Sequence, residues 1–225
     1  MRANLIEIFR SVQGEGFYVG VKQLFIRFSG CNLNCYYCDT PKTSEKCHDR
    51  IRGRQILNPV SATYVQNLID TSRVHSVCLT GGEPMLHAEF ISNLNRTKPF
   101  YLESNMTLPE KARKLRFVDY VAGDLKVRES RVEGYDEVLE KTVECFKILK
   151  NTRNRKTFCK IVLPDDFDEE EIINSALEIK NYVFGFVLQP VFGSGVEKIL
   201  KLQDKMMEFA DTRVIPQVHK YLGVR

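Results

Sequence analysis

Cys31, Cys35 and Cys38 are spaced C-x3-C-x2-C on a short polar stretch, Gly30-Cys31-Asn32-Leu33-Asn34-Cys35-Tyr36-Tyr37-Cys38-Asp39-Thr40. On so short a loop all three side chains can turn inward, and thiolate is a soft ligand suited to iron-sulfur clusters or to zinc. The number of cysteines matters. A four-iron cluster held by three of them keeps one iron open for chemistry, whereas a structural zinc site is closed by four ligands. Cys47 and His48 follow closely enough to complete a zinc site, so both readings stand at this point. Two glycine-bearing stretches add to the picture. Thr80-Gly81-Gly82-Glu83-Pro84 and Ser11-Val12-Gln13-Gly14-Glu15-Gly16 let main chain approach a ligand where side chains would collide. Arg27 stands inside an apolar run, Leu24-Phe25-Ile26-Arg27-Phe28, and a buried guanidinium needs an anion, either an internal carboxylate or an acidic substrate.

The elements that position these groups read as an α/β fold. Short apolar runs at 5–9, 24–28, 77–79, 100–102, 118–121, 158–163, 184–188 and 214–215 end in polar or turn residues, as buried parallel strands do. Between them lie amphipathic helices. Ser61 caps one with Val65, Leu68 and Ile69 on its apolar face; Tyr135, Val138, Leu139, Val143 and Phe146 mark another. Asp168 with Glu171 forms a capping box before a third, and Val196, Ile199, Leu200, Met206 and Met207 share a face on the last. In such sheets and barrels ligands sit at the C-terminal strand ends, which is where this pattern places Cys31, Cys35, Cys38, Thr80, Gly82, Ser104, Asp124, Lys126 and Gln189. Cys78, inside a strand, reads as an inert core residue. Residues 41–58 are polar and without periodicity, and read as a loop or insertion near the cysteines. Nothing splits the chain, so 1–225 is one domain.

Composition narrows the class. The chain has 225 residues, 43% hydrophobic and 28% charged, with a net charge of +4 spread over interleaved signs, so neither nucleic acid nor a membrane surface is called for as partner. Seven cysteines with no apolar leader at the start point to a reducing cytoplasm, where clustered cysteines bind metal.

The cysteine spacing, with the aromatic Tyr37 before the third cysteine, resembles the signature of the radical S-adenosylmethionine superfamily, and Thr80 to Pro84 resembles its glycine-rich cofactor motif. Further stretches, Glu7 to Gly16, Phe25 to Cys35, Cys38 to Thr40 and Arg213 to Lys220, resemble the 7-carboxy-7-deazaguanine synthase family. That resemblance implies a single-domain, shortened β/α barrel of parallel strands with outer helices. It also implies ring contraction of 6-carboxy-5,6,7,8-tetrahydropterin with loss of ammonia, on the way to queuosine and other 7-deazapurines. The implied cofactors are a 4Fe-4S cluster, S-adenosyl-L-methionine and Mg2+. An external electron donor such as flavodoxin and a homodimer are implied as partners.

Carried residue by residue, the resemblance places the cluster on Cys31, Cys35 and Cys38. It places S-adenosylmethionine on Tyr37, Cys38, Asp39, Gly82, Ser104, Asp124, Leu125, Lys126 and Gln189, and Mg2+ on Thr40. Substrate falls on Val12, Gln13, Gly14, Glu15, Arg27 and Thr80, the last two as catalytic groups. His219 is a possible helper. Two rival functions share some of these features: a glycyl-radical activase, which needs the cysteine loop but not Arg27 or the 13–15 loop, and a non-enzymatic iron-sulfur or zinc module, for which the glycine-rich turn has no use.

Overall fold

The computed structural model describes residues 1–38 and 41–224. The chain opens with β1 (Arg2–Ala3), β2 (Leu5–Val12) and β3 (Lys22–Phe28), followed by β4 (Lys46–Asp49), β5 (Arg54–Leu57) and β6 (Val60–Ser61). Strand and helix then alternate: α1 (Ala62–Thr71), β7 (Ser76–Gly81), α2 (Ala88–Ser92), β8 (Phe100–Ser104), α3 (Pro109–Lys114), β9 (Tyr120–Asp124), α4 (Tyr135–Ile148) and β10 (Lys156–Leu163). The chain ends with α5 (Glu169–Ile179), β11 (Phe186–Pro190), α6 (Glu197–Met207), β12 (Thr212–Val214) and α7 (Val218–Leu222).

Ten strands form one sheet in the order β12-β11-β10-β9-β8-β7-β3-β2-β4-β5. β3 and β7 to β12 run parallel, β2 lies antiparallel to β3, and β4 is parallel to β2. The sheet curls enough for strands β2, β3, β4 and β7 to β11 to line one cavity, while β12 and β5 stand at its two ends, which makes an open, partial β/α barrel. The outer face packs on the helices: Leu24, Ile26 and Phe28 of β3 join Val65, Leu68, Phe90 and Phe146 in the large core. Each such side chain is worth roughly 1.5–3 kcal/mol when fully buried.

Caps end the helices as the sequence suggests. Ser61 accepts from Tyr64 N at 3.3 Å, and Asp168 accepts from Glu170 N at 2.9 Å and Glu171 N at 3.1 Å. The Glu171 carboxylate turns to Arg128 at 3.2 Å instead of back to the cap, so the box closes on one side only.

Two expectations are corrected. Residues 41–58, expected as a loop, carry the β4–β5 hairpin, which extends the sheet through β2. The helix-facing positions of β4 are Cys47 and Asp49, and the acid is buried because it caps the hairpin turn, accepting from Ile51 N and Arg52 N and bonding Tyr64 OH. An aspartate on the buried, helix-facing side hides the alternation that would have marked a strand. On α6 the buried stripe is Ile199, Leu202 and Met206, while Val196, Leu200 and Met207 are 43%, 48% and 59% exposed. Leu200 and Met207 each lie one residue past a buried position, about 100° around the helix.

Candidate active site

Along the inner face every second residue of a strand points into the curl. The lower layer is apolar: Phe9, Phe25, Cys78, Tyr101, Ala122, Phe158 and Val187 pack into a buried plug. Two residues further along β3, β7, β8, β9, β10 and β11 come Arg27, Thr80, Glu103, Asp124, Lys160 and Gln189. One pleat thus turns a hydrophobic floor into a ring of polar groups around a cavity of about 820 Å3.

The cysteine loop closes one side. Gly30, with φ at 88°, turns the chain out of β3 into the loop, and there the glycine-rich turn docks against it: Gly82 N donates to Phe28 O at 3.0 Å and Glu83 N to Gly30 O at 2.8 Å. A Cβ on Gly82 would collide with the Gly30 carbonyl oxygen, so this close approach requires glycine. Glu83 is fully buried and accepts from Met85 N, Asn105 N and Ser104 Oγ, each at 2.8 Å. Burial nevertheless pushes its carboxyl up to about 7. Cys31, Cys35 and Cys38 all line the cavity. Burial pushes the Cys31 and Cys35 thiols up, so loading a metal there releases protons. Tyr37 OH meets Ser130 Oγ at 3.1 Å, and Lys126 Nζ lies 5.7 Å from the Tyr37 ring centre.

The cavity wall also carries charge. Arg27 Nε reaches Glu7 Oε1 at 3.1 Å, and Arg50 Nε reaches Glu7 Oε2 at 2.6 Å. Both arginines also line the cavity, so the internal carboxylate fixes Arg27 without removing it from the site. Lys126 Nζ pairs with Asp124 Oδ2 at 2.7 Å; Lys160 Nζ is 2.6 Å from Glu15 Oε2 and 3.4 Å from Asp124 Oδ1. Burial acts to raise the Glu15 carboxyl, but Lys160 and the amide of Gln217, 2.8 Å away, outweigh it and hold Glu15 down at about 2. Burial also acts to lower the two lysines, and Asp124 overrides it in both, leaving them raised.

Most of the expected residues converge here. Val12, Gln13, Gly14, Glu15, Arg27, Tyr37, Thr80, Gly82, Ser104, Asp124, Lys126 and Gln189 all line the cavity with the three cysteines. Gln13 contributes scaffolding with its side chain: its amide donates to Gln23 Oε1 at 2.9 Å and Glu103 Oε1 at 2.8 Å and accepts from Glu15 N at 3.0 Å. Leu125 is a correction. It is buried in the helix-side core and absent from the lining, because the pleat that aims Asp124 and Lys126 inward aims the residue between them outward. Asp39 and Thr40 lie outside the described residues. His219, at the start of α7, packs directly over Gly14 and lines the cavity.

Glu103, Lys160 and Arg50 are cavity residues that inspection of strand ends overlooks. Lys160 interrupts the apolar run Phe158-Cys159-Lys160-Ile161-Val162-Leu163 as Arg27 interrupts its own, and that anomaly was the available signal.

The residues fit a cluster with a sulfonium cofactor. Three thiols on one loop face a cavity, and the Gln189 Oε1 atom is buried there without a hydrogen-bond partner among the described residues, leaving an acceptor for a ligand. Cys47 is sealed in the helix-side core and is not among the cavity residues, so a zinc site completed by Cys47 is not favoured. Comparison with known proteins agrees. The family model for the radical SAM superfamily matches residues 25–179. The 7-carboxy-7-deazaguanine synthase of Archaeoglobus fulgidus is 77% identical over 225 residues, spanning 100% of both chains. The chain belongs to the 7-carboxy-7-deazaguanine synthase family of radical SAM enzymes. The family member from Methanothermobacter thermautotrophicus is 32% identical, covering 100% of this chain and 99% of its own. Among solved structures, QueE from Escherichia coli superposes with a TM-score of 0.60 at 17% identity, covering 97% of this chain and 95% of that one, a likeness of fold. As in the superfamily, the cofactors are a 4Fe-4S cluster and S-adenosylmethionine.

Proposed function

We propose that this protein contracts the ring of 6-carboxy-5,6,7,8-tetrahydropterin to 7-carboxy-7-deazaguanine with release of ammonia, using a 4Fe-4S cluster, S-adenosylmethionine and Mg2+. The single observation that carries this is a cavity lined both by the three-cysteine loop and by Arg27, Glu103 and Glu15, in a chain 77% identical to a synthase over its full length. When bound, the cluster and S-adenosylmethionine supply one-electron cleavage of the sulfonium to a carbon radical.

The chain's own residues hold and orient. Cys31, Cys35 and Cys38 are the cluster ligands, and Gly82, Ser104, Asp124, Lys126, Gln189 and Tyr37 surround the place for S-adenosylmethionine. Arg27, anchored through Nε by Glu7, is a fork-shaped donor suited to the pterin carboxylate. Glu15 and Glu103 accept from ring N–H groups, and the Thr80 hydroxyl can serve either role. The aromatic plug seals the floor and keeps water from the reacting carbon. Thr40 would offer a hydroxyl to Mg2+. A cytoplasmic location, a homodimer and an external one-electron donor complete the proposal; the exposed apolar side of α6 supports the dimer, and the exposed Cys38 supports electron entry from outside. Among the described residues no helix is long and apolar enough to cross a membrane.

The test is an anaerobic incubation of iron-reconstituted protein with the pterin, S-adenosylmethionine, a reductant and Mg2+, read by mass spectrometry. Formation of 7-carboxy-7-deazaguanine, abolished by Cys35→Ala, is expected. Accumulation of 5′-deoxyadenosine without that product would remove the substrate assignment and leave the superfamily chemistry standing. Arg27→Met should raise KM for the pterin at least tenfold, because each charged hydrogen bond lost is worth about 1.5–3 kcal/mol; an unchanged KM would move the carboxylate elsewhere.

A further inference from the structure

Lys160 sits at the middle of β10, between two parallel neighbours, where inward positions on either side are Phe158 and Val162. An ammonium at such a position is costly, and an apolar side chain of similar size would be neutral or more stabilising if packing were the only task. Lys160 is instead buried with its amine on the cavity wall. Its partners come from two different parts of the site. Glu15, at 2.6 Å, belongs to the loop after β2 and is held from the other side by Gln217, just before α7. Asp124, at 3.4 Å, ends β9 and pairs on its far side with Lys126, which lies against Tyr37 of the cysteine loop. The charges therefore alternate, Glu15 negative, Lys160 positive, Asp124 negative, Lys126 positive, in one line across the cavity wall.

We propose that Lys160 is a positioning residue that ties the substrate-side carboxylate Glu15 to the cofactor-side carboxylate Asp124, so that the two binding subsites are set by one side chain. This rests on the function proposed above for the identity of the two ligands. Without the lysine, Glu15 keeps the neutral amide of Gln217 and the weaker influence of His219, and Asp124 keeps only Lys126. Glu15 then either takes up a proton or swings toward solvent, and in both cases stops presenting two acceptor oxygens to ring N–H groups. Asp124 in turn loses the ammonium beside its Oδ1 and is oriented by Lys126 alone. One substitution on β10 should therefore weaken both ligands, whereas a substitution at Glu15 should weaken only the pterin.

A double-mutant cycle on the cluster-loaded enzyme tests this. Lys160→Met is expected to raise KM for the pterin at least tenfold and Kd for S-adenosylmethionine at least threefold, with a smaller change in kcat. Glu15→Gln is expected to raise only the pterin KM, and the double variant to be no worse in that KM than the worse single. Lys160→Arg, which keeps the charge and can reach both carboxylates, is expected to stay within about threefold of wild type in both constants, by the energetics of a retained charged hydrogen bond. Single effects on KM that multiply in the double variant, or a Lys160→Met enzyme with wild-type constants, would overturn the assignment. If Lys160→Met alone does not fold, the double variant, which lacks the orphaned carboxylate at position 15, supplies the comparison against Glu15→Gln, and a further tenfold rise in KM there would count against the tie. The same cycle on the melting temperature needs no substrate. A wild type that fails to turn over the pterin would therefore sink the proposed reaction, while additive melting shifts would separately sink the Glu15–Lys160 tie.

Discussion

Single residues in this site are constrained by what touches them, and two of them make sharp predictions. Gly82 lies against the Gly30 carbonyl at the root of the cysteine loop, so Gly82→Ala must push that loop out of place. Iron content after reconstitution and S-adenosylmethionine binding should both fall, the latter by more than tenfold, while the circular dichroism spectrum is kept; normal loading would mean the loop accommodates the methyl group. Glu83 is the second. Its carboxyl is raised to about 7 by burial, above the ordinary 4.5, so below pH 4.5 it carries no penalty and between there and 7 the folded state resists an ionisation the unfolded state makes freely, a cost of roughly 3 kcal/mol. In metal-free protein, the advantage of wild type over Glu83→Gln in urea denaturation should be greatest at and below about pH 4.5 and shrink by pH 7.5, and parallel curves would refute it. Legibility at this scale was uneven. The cysteines and Arg27 announce themselves because their types clash with a loop or a strand, and Lys160 clashes in the same way but lies mid-strand, away from the ends where a ligand was sought. Glu103 was masked by Ser104 and Asn105 beside it: all three are polar, and only the pleat decides that Glu103 faces inward with Tyr101.

At the scale of elements, the antiparallel β2–β3 pair and β7 carry a buried polar chain under the site. Gln13 donates to Gln23 at 2.9 Å, Gln23 donates to Ser76 Oγ at 2.9 Å, and His75 Nδ1 meets the same hydroxyl at 3.0 Å. These bonds fix which way the Gln13 amide points, and so present its other N–H to Glu103. Replacing Gln23 by Leu leaves buried groups on Gln13 and Ser76 unpaired and should cost about 1–3 kcal/mol in denaturant unfolding, with a rise in the pterin KM from the loosened Glu103. A stability loss below a few tenths of a kcal/mol would show that the chain repacks. Helices and strands read well from sequence wherever one face is uniformly apolar, as on α1 and α4. The β4–β5 hairpin failed that condition because Asp49 fills a buried, helix-facing position, and α6 failed it because Leu200 and Met207, both apolar, lie beside the buried stripe rather than on it. Neither surface is distinguishable from a buried one by residue type.

For the molecule as a whole, the question is whether metal builds the fold or only uses it. Small metal domains fold on their metal because they have little else to bury. Here the large core runs from Ala3 to Met206 through strands and helices, and none of the three loop cysteines belongs to it; Cys35 only touches a small satellite cluster with Val132, Tyr135 and Val138. The loop itself hangs between β3 and the β4–β5 hairpin, fastened by backbone bonds such as Gly30 N to Lys42 O at 2.7 Å and Tyr36 N to Ser130 O at 3.4 Å, which persist whatever the thiols bind. Anaerobic removal of iron should therefore abolish turnover and S-adenosylmethionine binding while leaving far-ultraviolet circular dichroism unchanged. The melting temperature should fall by only the few degrees that about 1 kcal/mol is worth in a chain of this size. The triple variant Cys31→Ser, Cys35→Ser, Cys38→Ser should behave like the stripped protein in every respect. Loss of the cooperative melting transition in either would mean that the cluster braces the curl of the sheet, and that the open edge between β12 and β5 depends on it.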